Sequence, residues 1–103
     1  MISKFEIQFN GTVNNAHKII REAQHMNAHA ETKSWITKVG DYLDDLNFNI
    51  DFIEDINKED WLHANLLNLL DQLLCTKNKM DEKTDDYRVI NSVYDLIRDF
   101  YFS

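Results

Sequence analysis

The chain contains no proline and only two glycines, Gly11 and Gly40. A many-stranded sandwich or barrel needs frequent turn residues, and this sequence does not supply them. A single cysteine, Cys75, excludes a disulfide scaffold and a cysteine-rich zinc module. No apolar run approaches the roughly 18 residues of a transmembrane span. The opening MISKFEIQFNG has no continuous apolar stretch of signal-peptide type. The expectation is a soluble cytoplasmic domain. What is present is a single-domain length of 103 residues, 44% of them apolar, which suffices for a real core.

Positive charge is scarce in one place. Residues 41–60 hold eight acidic side chains and only Lys58, so this stretch carries as much charge as the whole chain, −7. Residues 1–40 balance at +2 and residues 61–103 at −2. Such a field repels nucleic acid and anionic membranes and speeds encounter with basic surfaces. The bland alternative is a solvated face that keeps the protein soluble.

Apolar spacing predicts a mainly α fold of four principal helices packed as a small bundle, with a short N-terminal strand. In residues 2–9, Phe5, Ile7 and Phe9 alternate with polar residues, and that period favours a strand ending at Asn10-Gly11. Against it, Ser3 and Glu6 have capping-box spacing, and Ile2, Phe5 and Phe9 could share a helix face. Thr12 then caps a helix over about 13–30, with Ala16, Ala23 and Ala30 repeating every seven residues as a close-approach face. A second helix covers about 33–56 on the stripe Ile36, Val39, Leu43, Leu46, Ile50 and Ile53. A third runs from an Asn57 cap to about 77, with Ile56 and Trp61 as a hydrophobic staple and a broad leucine arc. After a polar connector, 78–84, the last helix starts after Thr84 and reaches about 101. The triplet Phe5-x-Ile7-x-Phe9 recurs as Phe48-x-Ile50-x-Phe52. The alternative fold is therefore α+β, with short strands at 4–9 and 48–52, although similarity beyond the triplets is poor and chance explains the echo better.

The aromatic residues inside the acidic segment are the most informative feature. If 33–56 is one continuous helix, Asp41, Asp44, Asp45, Asp51 and Asp55 lie on a single face, with Phe48 and Phe52 projecting from its middle. Rings anchor a partner and carboxylates steer and select it. If instead the helix breaks near Asn47 or Asn49, residues 48–52 are extended or turned and both rings enter the core, the commoner fate of aromatics.

Other chemistry has little support. His25 and His29 at i, i+4, with Glu22 nearby, have two-ligand spacing for a divalent metal. Glu22-x-x-His25 and Asp60-x-x-His63 also have the carboxylate–x–x–His form of di-metal bundles, but His25 falls on a polar face and His63 within the leucine arc, so the two do not converge. His63 reads as a core histidine, and Cys75 as a buried or half-buried thiol. No phosphate-binding glycine loop, nucleophile elbow or H-E-x-x-H occurs, and the acid pairs Asp44-Asp45 and Asp85-Asp86 point apart on a helix. Basic residues are scattered, without the aromatic interleaving of a nucleic-acid surface.

The expected function is that of a small, non-enzymatic, acidic binding module. It would use Asp41, Asp44, Asp45, Phe48, Asp51, Phe52 and Asp55 to occlude a basic, nucleic-acid- or phosphate-handling site on a partner protein. An inhibitor or an immunity- or antitoxin-type protein, of phage or defence origin, fits that physics. The alternative is a helical structural subunit that self-associates through Phe48, Phe52 and the alanine face. A metal-binding bundle built on His25, His29 and Glu22 ranks third. Neither cofactor nor metal is expected, nor direct contact with nucleic acid or membrane.

Overall fold

The structure is a computed structural model that describes residues 3–103. It contains α1 (Lys4–Ala23), α2 (Ala30–Asn49), α3 (Lys58–Asn78) and α4 (Asp85–Tyr101), with 3-10 turns at Ile50–Phe52 and Asp55–Asn57. No strand occurs among the described residues. The mainly helical expectation holds, and both proposed strands are corrected.

The N-terminal segment is helical because local capping and the 3.6-residue period agree. The Ser3 hydroxyl accepts from the Glu6 backbone N–H at 3.4 Å and donates to the Glu6 carboxylate at 3.1 Å. Phe9, Val13, Ala16, Ile20 and Ala23 then form a continuous buried stripe, with Phe5 packed at its edge. Ile7, on the opposite side, is exposed. Thr12 caps nothing: it lies inside α1, and its hydroxyl donates to the Gln8 carbonyl at 3.1 Å. Ile2 lies outside the described residues.

The helices run up-down-up-down. α1 packs on both α2 and α4, and α3 packs on α4. Antiparallel neighbours are marked by His17 against Asp44 and Asn10 against Asn47 between α1 and α2. Phe9 against Phe100, at 5.3 Å between ring centres, does the same between α1 and α4. The core is drawn from all four helices: Phe9, Ile36, Leu43, Leu62, Leu66, Leu73, Ile90 and Ile97 are its largest fully buried side chains. α2 and α3 stand apart across a groove of about 580 Å³, walled by Trp35, Tyr42 and Leu69. The Tyr42 hydroxyl crosses it to the Asn65 side chain at 3.2 Å.

Several boundaries differ from expectation. α1 stops at Ala23, so Met26, Asn27 and Ala30 do not extend its face. α2 ends at Asn49 and does not continue to 56. Asn57 occupies the N-cap of α3 without a side-chain bond, and the staple does not form, because Ile56 is 86% exposed. α4 starts after Thr84 as expected, and the Thr84 hydroxyl caps it, accepting from Tyr87 N–H at 3.2 Å. Cys75 is exposed. His63 is half-buried with its ring 5.0 Å from that of Tyr101. No helix of the described residues is long and apolar enough to cross a membrane.

The two glycines separate helix propensity from packing. A Cβ at Gly11 meets nothing within 4 Å, whereas one at Gly40 comes within 2.7 Å of Ile20 Cδ1. Gly11→Ala is expected to raise the unfolding free energy by about 0.5–1 kcal/mol, because glycine is costly inside a helix. Gly40→Ala is expected to gain nothing or to destabilise, since crowding a packed contact costs about 1–3 kcal/mol. Urea denaturation of both variants checks the pair. It also tests the N-terminal helix, because a turn at Asn10-Gly11 would make Gly11→Ala destabilising.

Candidate functional site

The acidic segment spans the second half of α2, the two 3-10 turns and the first three residues of α3. Ile50 is the reason it is shaped as it is. Its side chain is 2% exposed, inserted into the core as α2 gives way to a 3-10 turn. The residues flanking it therefore face outward. Phe48 is 66% exposed and Phe52 75%, with ring centres 5.4 Å apart and planes tilted by 56°. The helix ends where the competing reading placed its break, but the rings that reading sent into the core are outside.

Asp41, Asp44, Asp45, Asp51 and Asp55 are all exposed, yet they do not form one equivalent row. Asp44 is engaged, its Oδ1 2.7 Å from His17 Nε2 on α1. Asp55 lies beyond the end of α2, with its Oδ1 3.2 Å from Lys58 Nζ. Lys58, the one cation in residues 41–60, is also 3.4 Å from the buried Glu6 on α1. Its pKa is raised, first by the hydrogen bond to Asp55, with burial opposing and Glu6 adding. Lys58 is thus committed to the junction of α1 and α3, and among the described residues Asp41, Asp45 and Asp51 join no ion pair.

This placement works against helix stability. A helix C-terminus carries partial negative charge and favours cations. The last turn of α2 has no basic residue, Asp44 and Asp45 precede it, and Asp51 follows. The other helices each place acids in the first turn, where the dipole favours them (Glu6, Glu59, Asp60, Asp85 and Asp86), and the two with an acid in the last turn, Glu22 of α1 and Asp99 of α4, also carry a basic residue there, Arg21 and Arg98.

A second polar cluster, at the opposite end, was not anticipated. Asp85 accepts from Asn27 N–H at 2.9 Å, and Asp86 from His29 N–H at 2.7 Å and from the His29 ring. Two adjacent acids at the start of α4 thus tie down the connector between α1 and α2. Their position at the start of the last helix, just after Thr84, was readable from the sequence; their target had no local marker. Asp86 is buried, and burial pushes its pKa up, but the His29 ring and backbone, with Thr32, outweigh that and hold it below the usual carboxylate value. His29 is held above 6.5, chiefly by its hydrogen bond to Asp86, then by the charge of that carboxylate, against some desolvation. The metal reading fails on the same geometry. His25 lies past the end of α1, His29 is taken by Asp86, and the described residues hold no group of three or more His, Cys, Asp or Glu able to grip a metal ion.

Comparison with protein-family models, curated proteins and solved structures finds no significant match.

Two outcomes are expected. Asp45→Lys places a cation near the C-terminus of α2 and should raise stability by roughly 0.3–1 kcal/mol at low salt, read by urea denaturation. For the His29–Asp86 tie, the imidazole's contribution is complete below its ordinary value and fades as pH rises through the raised one. The carboxylate's contribution is present above its ordinary value and fades as pH falls through the lowered one. The tie therefore stabilises most between about pH 4 and pH 6.5. Asp86→Asn should lower the thermal midpoint at pH 6 and flatten its decline between pH 6 and pH 8, as scanning calorimetry would show.

Proposed function

We propose that this protein is a small binding module that covers a basic site on a partner protein, as an inhibitor or as an immunity- or antitoxin-type protein of phage or defence origin. The observation that carries the reading is the Phe48–Phe52 pair, exposed together in a segment whose Asp41, Asp45 and Asp51 join no ion pair among the described residues. Two exposed rings in a chain with a well-filled core are a poor solvated surface and a good anchor. Covering each ring is worth about 1.5–3 kcal/mol, whereas an exposed ion pair contributes about 0–1 kcal/mol. The rings would hold the partner, and Asp41, Asp45 and Asp51 would select it and speed its approach. Such acids stand where a nucleic-acid-handling enzyme or toxin expects phosphates. A cytoplasmic setting belongs to the same proposal, and the exposed thiol of Cys75 would stay reduced there.

The self-associating reading retains the ring pair but loses the alanine face. Ala16 and Ala23 are fully buried in the bundle's own core, and Ala30 begins α2. Joining two copies through Phe48 and Phe52 would also bring two acidic segments together.

The test is affinity capture with the immobilised protein at low and high salt, followed by purification of the captured protein. The expected result is a basic, nucleic-acid-handling protein whose activity the chain blocks. Phe48→Ala/Phe52→Ala should weaken its binding by about tenfold or more per ring. Asp45→Lys/Asp51→Lys should slow association and reduce the salt dependence. A partner held equally well by both double variants would refute this surface. A concentration-dependent dimer in light scattering would favour the structural subunit.

A further inference from the structure

Five large apolar side chains are exposed at one end of the bundle: Ile7, Phe48, Phe52, Ile56 and Phe102. This is the end where α1 and α3 begin and α2 and α4 finish. Cross-links between elements place them there together. Asn47 reaches Asn10 at 3.1 Å, Lys58 bridges Asp55 and Glu6, and Tyr101 lies against both His63 and Phe102. Residues 20–35 and 76–90, at the other end, expose no large hydrophobic side chain. Leu67 and Leu74, the remaining exposed pair, lie along α3.

We propose that the docking surface is this bundle end, with Ile56, Ile7 and Phe102 extending the ring pair, and that its occupant is a cationic amphipathic segment of another protein. This deepens the binding reading above and rests on it. The apolar side chains require apolar cover. Asp51, Glu54 and Asp55 are interleaved with them, so the cover must also bring positive charge. A second copy would set like charge against like, and an anionic membrane would be repelled. Asp41 is seven helical residues from Phe48, about 10 Å along the axis, and Asp44 is held by His17. Both therefore lie outside the contact, although they contribute to the field.

Two synthetic probes test this: a lysine–leucine peptide designed as an amphipathic helix, and an oligolysine of equal charge. Each is titrated into isotope-labelled protein while amide shifts are followed. The lysine–leucine peptide should perturb residues around Ile7, Phe52, Ile56 and Phe102, and part of its binding should survive about 0.5 M salt, where exposed charges are screened. Oligolysine should be lost at that salt. Ile56→Ser/Phe102→Ser, both at exposed positions, should weaken the peptide by about tenfold, and Asp41→Asn should leave it within about twofold. Perturbation centred on Asp41 and Asp44, with the Ile56/Phe102 variant binding normally, would overturn the end-on surface and leave the acidic-module reading standing. If neither probe binds even at low salt, both fall. Shifts at the same amides on concentrating the protein alone would assign the surface to a second copy and overturn the cationic occupant.

Discussion

Ile50 enters the core where α2 ceases to be an α-helix, and the outward set of Phe48, Asn49, Asp51 and Phe52 follows from that insertion. Had the helix continued to residue 56, Ile53 would have carried the apolar stripe on and the chain could not have turned toward α3 at this point. The 3-10 turn tightens the path, and the next turn, Asp55–Asn57, delivers Lys58 to Glu6 at the foot of α1. A buried apolar anchor and a shielded ion pair thus bracket the exposed segment. Both are structural, and together they hold Phe48, Phe52 and Ile56 away from the core. The rings are exposed because their neighbours are fixed.

The echo of the two aromatic triplets shows where sequence reasoning reached its limit. In Phe5-x-Ile7-x-Phe9 the outer residues pack inward and Ile7 is exposed; in Phe48-x-Ile50-x-Phe52 the middle residue is buried and the outer two are exposed. Opposite burial from one pattern means that period two carried no information in either place. The 3.6-residue stripe from Phe9 through Ala23 and the Ser3–Glu6 cap were the better guides, and both could be read in advance. α4 was legible in extent, from just after Thr84 to Tyr101. α3 was legible in extent, but the Ile56–Trp61 staple was not formed, because the preceding turn points Ile56 outward. The acids of the candidate site were legible as a cluster. Their inequality was not, because it depends on His17 and Lys58 reaching them across the bundle. The Asp86–His29 tie, 57 residues apart in sequence, was equally out of reach.

Stability and charge are arranged differently at the two ends. At the connector end, Asp85 and Asp86 serve three purposes at once: they complement the dipole of α4, satisfy backbone N–H groups of the 24–29 connector, and pair with His29. At the other end, Asp45 and Asp51 make no hydrogen bond or ion pair among the described residues and oppose the dipole of α2. Each such acid costs a few tenths of a kcal/mol to about 1 kcal/mol, small against a core in which every helix contributes fully buried leucine, isoleucine, valine or phenylalanine. A fold can carry that penalty. Its localisation, beside the most exposed aromatic pair, is what a solubilising role does not account for, since solubility is served as well by charge spread evenly or placed at helix N-termini.

The relative size of the two forces then decides how the acidic end would operate. Carboxylates in water attract a cationic surface over roughly one Debye length, about 10 Å at 0.1 M salt, and add little once contact is made. Apolar side chains act only in contact, but each is worth more there. A surface of carboxylates alone would therefore recruit partners without retaining them, and a surface of rings alone would retain partners without choosing among them. Phe48, Phe52 and Ile56 interleaved with Asp51, Glu54 and Asp55 combine the two. Under the proposed reading the combination would also disfavour a second copy of the chain, because the apolar contact joining two copies would bring their carboxylates together.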